Sequence, residues 1–282
     1  MRRAIPGSLV VLAAWCLASA AAIAQQRPLT TEDPEVIGDG RLLVEAGVET
    51  GTNVWYPISG LHGDRFAVPV GLCLGLGRYA ELQVDTGYNW LGIDSREDAP
   101  LAFRVPPDIT RTSDIVDVTV ATKLRVLAEG RHRPSVGVRF ATRLPNASNE
   151  SGLGLDTTDF HVQGLVGKTV QSIRFVGNFG LGILGDPTRG DNQNDVLDYG
   201  FSVARAVQEG VELVGEINGR ASTRGGTPPP GTESRSQLRL GARVTRGTVR
   251  LDGGLVFGLT SRDPSIGLTL GATWVFKGFT VP

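Results

Sequence analysis

Apolar and polar residues alternate at period two in twelve separate stretches of this chain. They lie near residues 41–50, 65–76, 78–90, 114–127, 132–143, 158–169, 172–184, 195–206, 210–220, 234–246, 247–259 and 265–276. In the fourth, Val118, Val120, Leu124 and Val126 interleave with Asp117, Thr119, Lys123 and Arg125. In the tenth, Leu238, Leu240, Ala242 and Val244 interleave with Gln237, Arg239, Gly241 and Arg243. Strict alternation of this kind marks strands with one apolar and one polar face. Each stretch is about 10 to 14 residues long, against about five or six in soluble sheets, and near what a tilted strand needs to cross a bilayer.

The connections alternate as well. Those around Gly77, Gly130, Gln171, Glu209-Gly210 and Arg246-Gly247 are tight, and glycine supplies the positive φ that short hairpins demand. The others, near 51–64, 91–113, 144–157, 185–194 and 221–233, are long and polar, with only 261–264 short. Long connections on one side and tight ones on the other are the layout of an outer-membrane barrel. The expected fold is therefore all-β: a closed, transmembrane, antiparallel β-barrel of about twelve strands, with short periplasmic turns and long extracellular loops. An even strand count brings both ends to the periplasmic side.

A secreted β-sandwich also alternates, so the position of the charges has to decide. On the apolar parity, Asp64, Arg78, Lys168, Arg205 and Arg246 fall only at segment ends, where a charge costs about 0–1 kcal/mol rather than the 2–4 of the bilayer midplane. On the other parity, charges occur in mid-strand and are mixed with Gly71, Gly137, Gly180, Gly200, Gly241, Gly254 and Gly271. A face of that kind suits a crowded lumen, where long side chains need small neighbours.

Composition agrees by exclusion. Of 282 residues 38 are Gly, and only 40% are hydrophobic. Glycine costs about 1 kcal/mol per helix-interior position, which argues against any helical architecture, and no Gly-x-y period supports collagen. A formal net charge of −1 offers no basic field for nucleic acid. Arg2 and Arg3, the apolar run from Leu9 to Ile23 and the small-x-small sequence Ala22-Ile23-Ala24 read as a signal peptide over residues 1–24. Cys16 is a poor lipoprotein site after bulky Trp15, and Cys73 is then the one cysteine left, so no disulfide framework is expected. Residues 25–40, rich in Pro and acid, are expected as a periplasmic segment that either plugs the lumen or trails as a tail; 41–276 form the barrel and 277–282 a C-terminal tail.

Thr269, Gly271, Trp274 and Phe276 follow the polar-x-Gly-x-x-aromatic-x-aromatic order and resemble the assembly signal of bacterial outer-membrane barrels, which implies barrel assembly machinery as a partner. Lys277 to Pro282 trail beyond it, a departure from the usual position at the chain end. The same two aromatics also suit a membrane-interface girdle.

The start Arg27-Pro28-Leu29-Thr30-Thr31-Glu32-Asp33-Pro34, followed by Gly40 and Glu45, the stretch VELVGEINGR at 211–220 and the ending GLTLGATWVF at 267–276 are similar to the outer-membrane transporters grouped under the MetA pathway of phenol degradation. The resemblance runs over nearly the whole chain after the signal peptide. It implies a barrel that takes up small aromatic or apolar compounds; no residue here specifies an aromatic solute.

Candidate pore-lining residues are Glu45, Glu81, Asp85, Asp117, Lys123, Arg125, Arg139, Arg143, Arg174, Glu216, Arg239, Arg243 and Asp252. Acidic ones gather on the first and third segments and basic ones on the fourth, fifth and tenth. Neighbouring strands can pair them, and arginine, whose planar fork binds carboxylates bidentately, outnumbers lysine. These residues either fill the barrel or form a constriction that selects solutes. Twelve strands lie between barrels filled by side chains and those with water channels, so a narrow or plugged pore is expected.

Other matches carry little. Gly180, Gly182 and Gly185 spell GxGxxG, but along one strand instead of at a helix start. Asn146 and Asn149 match glycosylation acceptors yet read as an exposed polar loop. His62, His132 and His161 are too dispersed for a metal cluster. No catalytic residue, metal or cofactor is assigned. The expectation is a monomeric outer-membrane channel for small solutes, in contact with lipid and not nucleic acid. Its alternatives are a surface-binding or structural barrel presenting loops with Pro106-Pro107 and Pro228-Pro229-Pro230, and a barrel-embedded enzyme.

Overall fold

The computed structural model describes residues 27–279. The expected signal peptide, Gln25 and Gln26, and the last three residues of the tail lie outside them. Twelve antiparallel strands form one closed sheet in chain order. They are β1 (Arg41–Tyr56), β2 (Leu61–Gly75), β3 (Ala80–Arg96), β4 (Arg111–Leu127), β5 (Ser135–Arg143), β6 (Asp159–Val170), β7 (Ile173–Gly185), β8 (Gln193–Gln208), β9 (Val211–Ser222), β10 (Arg235–Arg246), β11 (Val249–Gly258) and β12 (Ile266–Lys277). The barrel closes where β1 pairs with β12, in register from Arg41↔Lys277 to Gly51↔Gly267. Closure leaves no unpaired sheet edge, which is what a spanning sheet in lipid requires.

Each expected stretch is a strand, but β1 through β4 run further than their alternation does. A bulge between Gly51 and Val54 adds a residue to β1, with Asn53 at φ 54°. An extra residue in β4 between Val116 and Thr119 shifts its pairing with β3. A bulge reverses which side chains face in, so in β1 the pattern ends there although the ladder continues. As a result the β1–β2 connection is the four-residue turn 57–60 and not a long loop. The β4–β5 connection, expected to be tight at Gly130, instead takes residues 128–134. The β6–β7 turn lacks glycine, and Gln171 itself adopts φ 55°.

The outer face is a continuous apolar surface. Phe66, Val70, Leu72, Phe140, Phe160, Val162, Phe179, Leu181, Phe201, Leu213, Leu240, Leu251, Leu268 and Leu270 are all exposed. An uncharged band of this extent faces lipid, and the protein is an outer-membrane β-barrel. Aromatic pairs stand at two levels: Tyr88 and Trp90, 4.6 Å apart, toward the loop end, and Trp274 and Phe276, 4.4 Å apart, toward the turn end.

Residues 27–39 lie inside the barrel. Arg27, Leu29, Thr31, Glu32, Asp33 and Ile37 are buried, and the segment meets the strands in descending order. Arg27 touches β12 and β11, Leu29 packs on Ala204 of β8 and Val214 of β9, and Glu32 reaches β7 and β4. Ile37 sits with Leu43, Cys73 and Val275 of β1, β2 and β12. The chain thus runs around the inner wall as a collar before turning at Gly38 and Gly40 into β1.

The inward glycines explain how the collar fits. A Cβ on Gly271 would stand 2.4 Å from Arg27 Nε, and one on Gly47, its partner in register, 2.2 Å from an Arg27 terminal nitrogen. Gly137, Gly200 and Gly241 would likewise press Pro34, Thr31 and Pro28. The sequence alone suggested that these glycines make room for wall arginines and glutamates. They chiefly make room for the N-terminal segment.

Candidate functional site: the lumen

All thirteen candidate lumen residues point into the barrel, and most are engaged by the collar. Lys123, fully buried, has its ammonium 2.9 Å from Glu81 and 3.3 Å from Glu32. Arg139 closes on Glu32 at 3.0 Å. Arg174 binds Asp33 through two nitrogens at 2.9 and 2.7 Å, a bidentate geometry, and also reaches Glu129. Arg125 pairs with Glu35, and Asp252 lies 3.6 Å from Arg27.

Backbone groups of the collar, which cannot pair as a strand there, are satisfied by wall side chains as a buried segment requires. The Thr30 and Thr31 N–H groups each donate to Glu216 at 2.8 Å. The Ile37 N–H donates to Glu81 at 2.8 Å, and Arg239 donates to the Pro28 carbonyl at 3.2 Å. Glu32 N–H and the Asn178 side-chain oxygen meet at 2.6 Å.

Arg243 and Arg143 pair within the wall. Arg243 lies 3.3 Å from Glu212, directly across the β9–β10 ladder. Arg143 sits between Asp117, at 2.6 Å, and Asp159. Glu45 and Asp85 flank Gly71 from either side in register.

Above the collar, on the loop side, a cavity of about 550 Å³ remains. Its floor is formed by Arg27 to Glu32. Of the candidate residues, Glu45, Asp85, Arg139, Arg143 and Arg239 line it, together with Glu49, His161, Asp198, Arg220, Arg235 and Asp263. His161 Nδ1 is 2.6 Å from Asp198. Arg220 and Asp198 were legible as lumen-parity residues of β9 and β8 but were not singled out, since each is an ordinary member of an alternating pattern. Over part of the mouth the loops are packed: Leu61, Leu91 and Val105 form a buried cluster against Tyr56, Ile93, Ile109 and Leu153.

Gly180 and Gly182 lie within β7, against Gln163 and His161, and not at a helix start. Among the candidate assembly residues, Thr269 and Gly271 face inward onto Arg27, whereas Trp274 and Phe276 face out.

The family model described as "Putative MetA-pathway of phenol degradation" matches residues 25–276. The chain belongs to that family. The match takes in the collar as well as the barrel, and the stretches that carry the resemblance meet in space: Arg27 binds Thr269 and the Leu270 carbonyl, and Thr30 and Thr31 bind Glu216. Among solved structures, the COG4313 outer membrane channel from Pseudomonas putida F1 superposes with a TM-score of 0.61 at 15% identity, over 86% of this chain and 98% of that one. The translocator domain of the autotransporter NalP from Neisseria meningitidis gives a TM-score of 0.51 at 12% identity, over 85% and 89%. At these identities the likeness is one of fold. No curated protein matches the sequence.

Proposed function

We propose that this protein is a passive outer-membrane channel for small aromatic or apolar solutes, with the collar as its constriction. The observation that carries the reading is the cavity of about 550 Å³ above Arg27–Glu32, a volume in the range of small-molecule sites, inside a closed barrel. Membership of a family named for phenol degradation supports an aromatic solute, and the P. putida relative, described as an outer membrane channel, supports passage. Because most lumen charges are paired with one another or with the collar, the path presents fixed dipoles more than free charge. Glu45, Asp85, Arg139, Arg143 and Arg239 line the part left open above the collar. The remaining candidates hold or surround the collar. In this reading no chemistry is performed on the solute. We read the channel as a monomer, a reading supported by closure of the sheet within one chain, and the last strand, with Trp274 and Phe276 outward, as the place where assembly machinery docks.

The test is reconstitution of the folded protein in planar bilayers and liposomes. Ion conductance together with flux of phenol-sized solutes is expected. Absence of both, with folding shown by heat-modifiable gel migration, would overturn the reading and leave a surface-binding or structural barrel.

A further inference from the structure

Arg220 of β9 and Arg235 of β10 are direct cross-strand partners, and both line the cavity at its loop end. Like charges directly opposite destabilise a sheet; at Arg239↔Glu216 and Arg243↔Glu212 opposite charges face each other, and the like pair Lys123↔Arg139 is bridged by Glu32. The Arg235 guanidinium makes no hydrogen bond or ion pair among the described residues, and its Nε is buried without an acceptor. Among the described residues Arg220 donates only to the neutral carbonyls of Glu233, at 3.0 Å, and Gly231, and forms no ion pair there.

Glu233 and Asp263 offset part of the charge of the pair from a distance, but neither carboxylate forms an ion pair with it among the described residues, although one oxygen of Asp263 is buried without a hydrogen-bond partner. Glu233 accepts the Gly231 N–H with both oxygens. One oxygen of Asp263 accepts from the Ser236 N–H and the Thr260 hydroxyl. Asp198, opposite Arg220 on β8, is turned to His161. Arg143, on the same cavity, is held by Asp117 and Asp159.

We propose that Arg220 and Arg235 form an anion site at the outer mouth of the lumen that captures the carboxylate of a small aromatic acid. Two adjacent guanidinium forks offer planar, charge-assisted donors to a carboxylate. A bound anion relieves the repulsion that the empty pair carries. The rest of the solute extends toward the floor, where Leu29 and Ala141 give the cavity apolar surface. The aromatic body rests on the channel reading; the anion site rests on the arginines alone.

The experiment uses the full folded chain and three probes of one size: benzoate, benzyl alcohol and benzylammonium. Calorimetric titration of the detergent-folded protein is expected to show benzoate binding that weakens about tenfold in Arg235→Gln and is partly restored in Arg235→Lys. In proteoliposomes the benzoate to benzyl alcohol flux ratio is expected to fall about tenfold in Arg235→Gln, with folding checked by heat-modifiable migration. Benzoate binding that is absent, that is equal in wild type and Arg235→Gln, or that is weaker than benzylammonium binding overturns the site. Benzoate binding without flux of any probe keeps the site and overturns the channel. Flux of benzyl alcohol without benzoate binding does the reverse.

Discussion

Lys123 and Glu32 stand 91 residues apart in sequence and 3.3 Å apart in space, in a pair closed to solvent. Glu81 completes the cluster. A lysine this deep is tolerable only because two carboxylates surround it, and one of them belongs to the N-terminal segment. Removing one partner of a buried charge costs about 3–5 kcal/mol. Since Glu81 remains, Glu32→Gln is expected to lie at the lower end, about 3 kcal/mol. A clear drop in the temperature at which the folded band converts to the unfolded one on gels checks it; an unchanged temperature would mean that the collar contributes little to barrel stability.

The collar is expected to limit conductance. Deletion of residues 27–39 removes the collar carboxylates that pair with Arg125, Lys123, Arg139 and Arg174, and should raise single-channel conductance severalfold while lowering stability. Gly271→Leu is a milder form: even a Cβ would stand 2.4 Å from Arg27 Nε, so the larger side chain must expel Arg27 from its slot between Gly47 and Gly271. An intermediate rise in conductance is expected, and conductance equal to wild type in both variants would show that ions bypass the collar.

Acid should loosen the turn end of the barrel. Burial by itself would raise the Glu129 carboxyl, but the Thr169 N–H and hydroxyl, Lys168 and Arg174 outweigh it and hold the group below its ordinary value of 4.5. A depressed carboxyl adds stability above its unfolded value, and that stability is lost as pH falls through the folded value. Wild type should therefore lose more thermal stability than Glu129→Gln below about pH 4.5. Parallel pH profiles for the two proteins would contradict this.

The lipid face predicts an asymmetry between neighbours on β7. Phe179 is 64% exposed on the outer surface, and Phe179→Arg should cost about 2–4 kcal/mol if it lies near the bilayer midplane. Asn178, one residue away, is buried inside against Glu32. Asn178→Ala should instead free part of the collar and raise conductance, since it removes both hydrogen bonds that Asn178 makes to the Glu32 backbone. Yields of membrane-inserted protein and bilayer recordings separate the two outcomes.

Much of the architecture was legible because it follows from local alternation. Period two placed the twelve strands and sorted Lys123, Glu216 and Arg239 to one face from Leu124, Ile217 and Leu240 on the other. The bulge at Gly51–Val54 hid the outer end of β1, because an inserted residue reverses parity without ending the ladder. In the lumen, alternation put Glu81, Lys123, Glu216, Arg239 and Arg243 on the inner face, and only the register of the folded sheet matched them as Glu81–Lys123, Glu216–Arg239 and, with Glu212, Glu212–Arg243. Alternation had no means to find the partners of Arg125 or Arg174, which lie in a segment without strand periodicity.

The amino-acid sequence by itself determined a closed barrel with an apolar outside and a charged, glycine-studded inside, because side-chain parity is a local property of an extended chain. Only the tertiary structure decided what fills that inside. Residues 27–39 lack a ladder of their own, so their path is set by the wall charges and glycines of all twelve strands at once. Those strands become neighbours only when β1 meets β12.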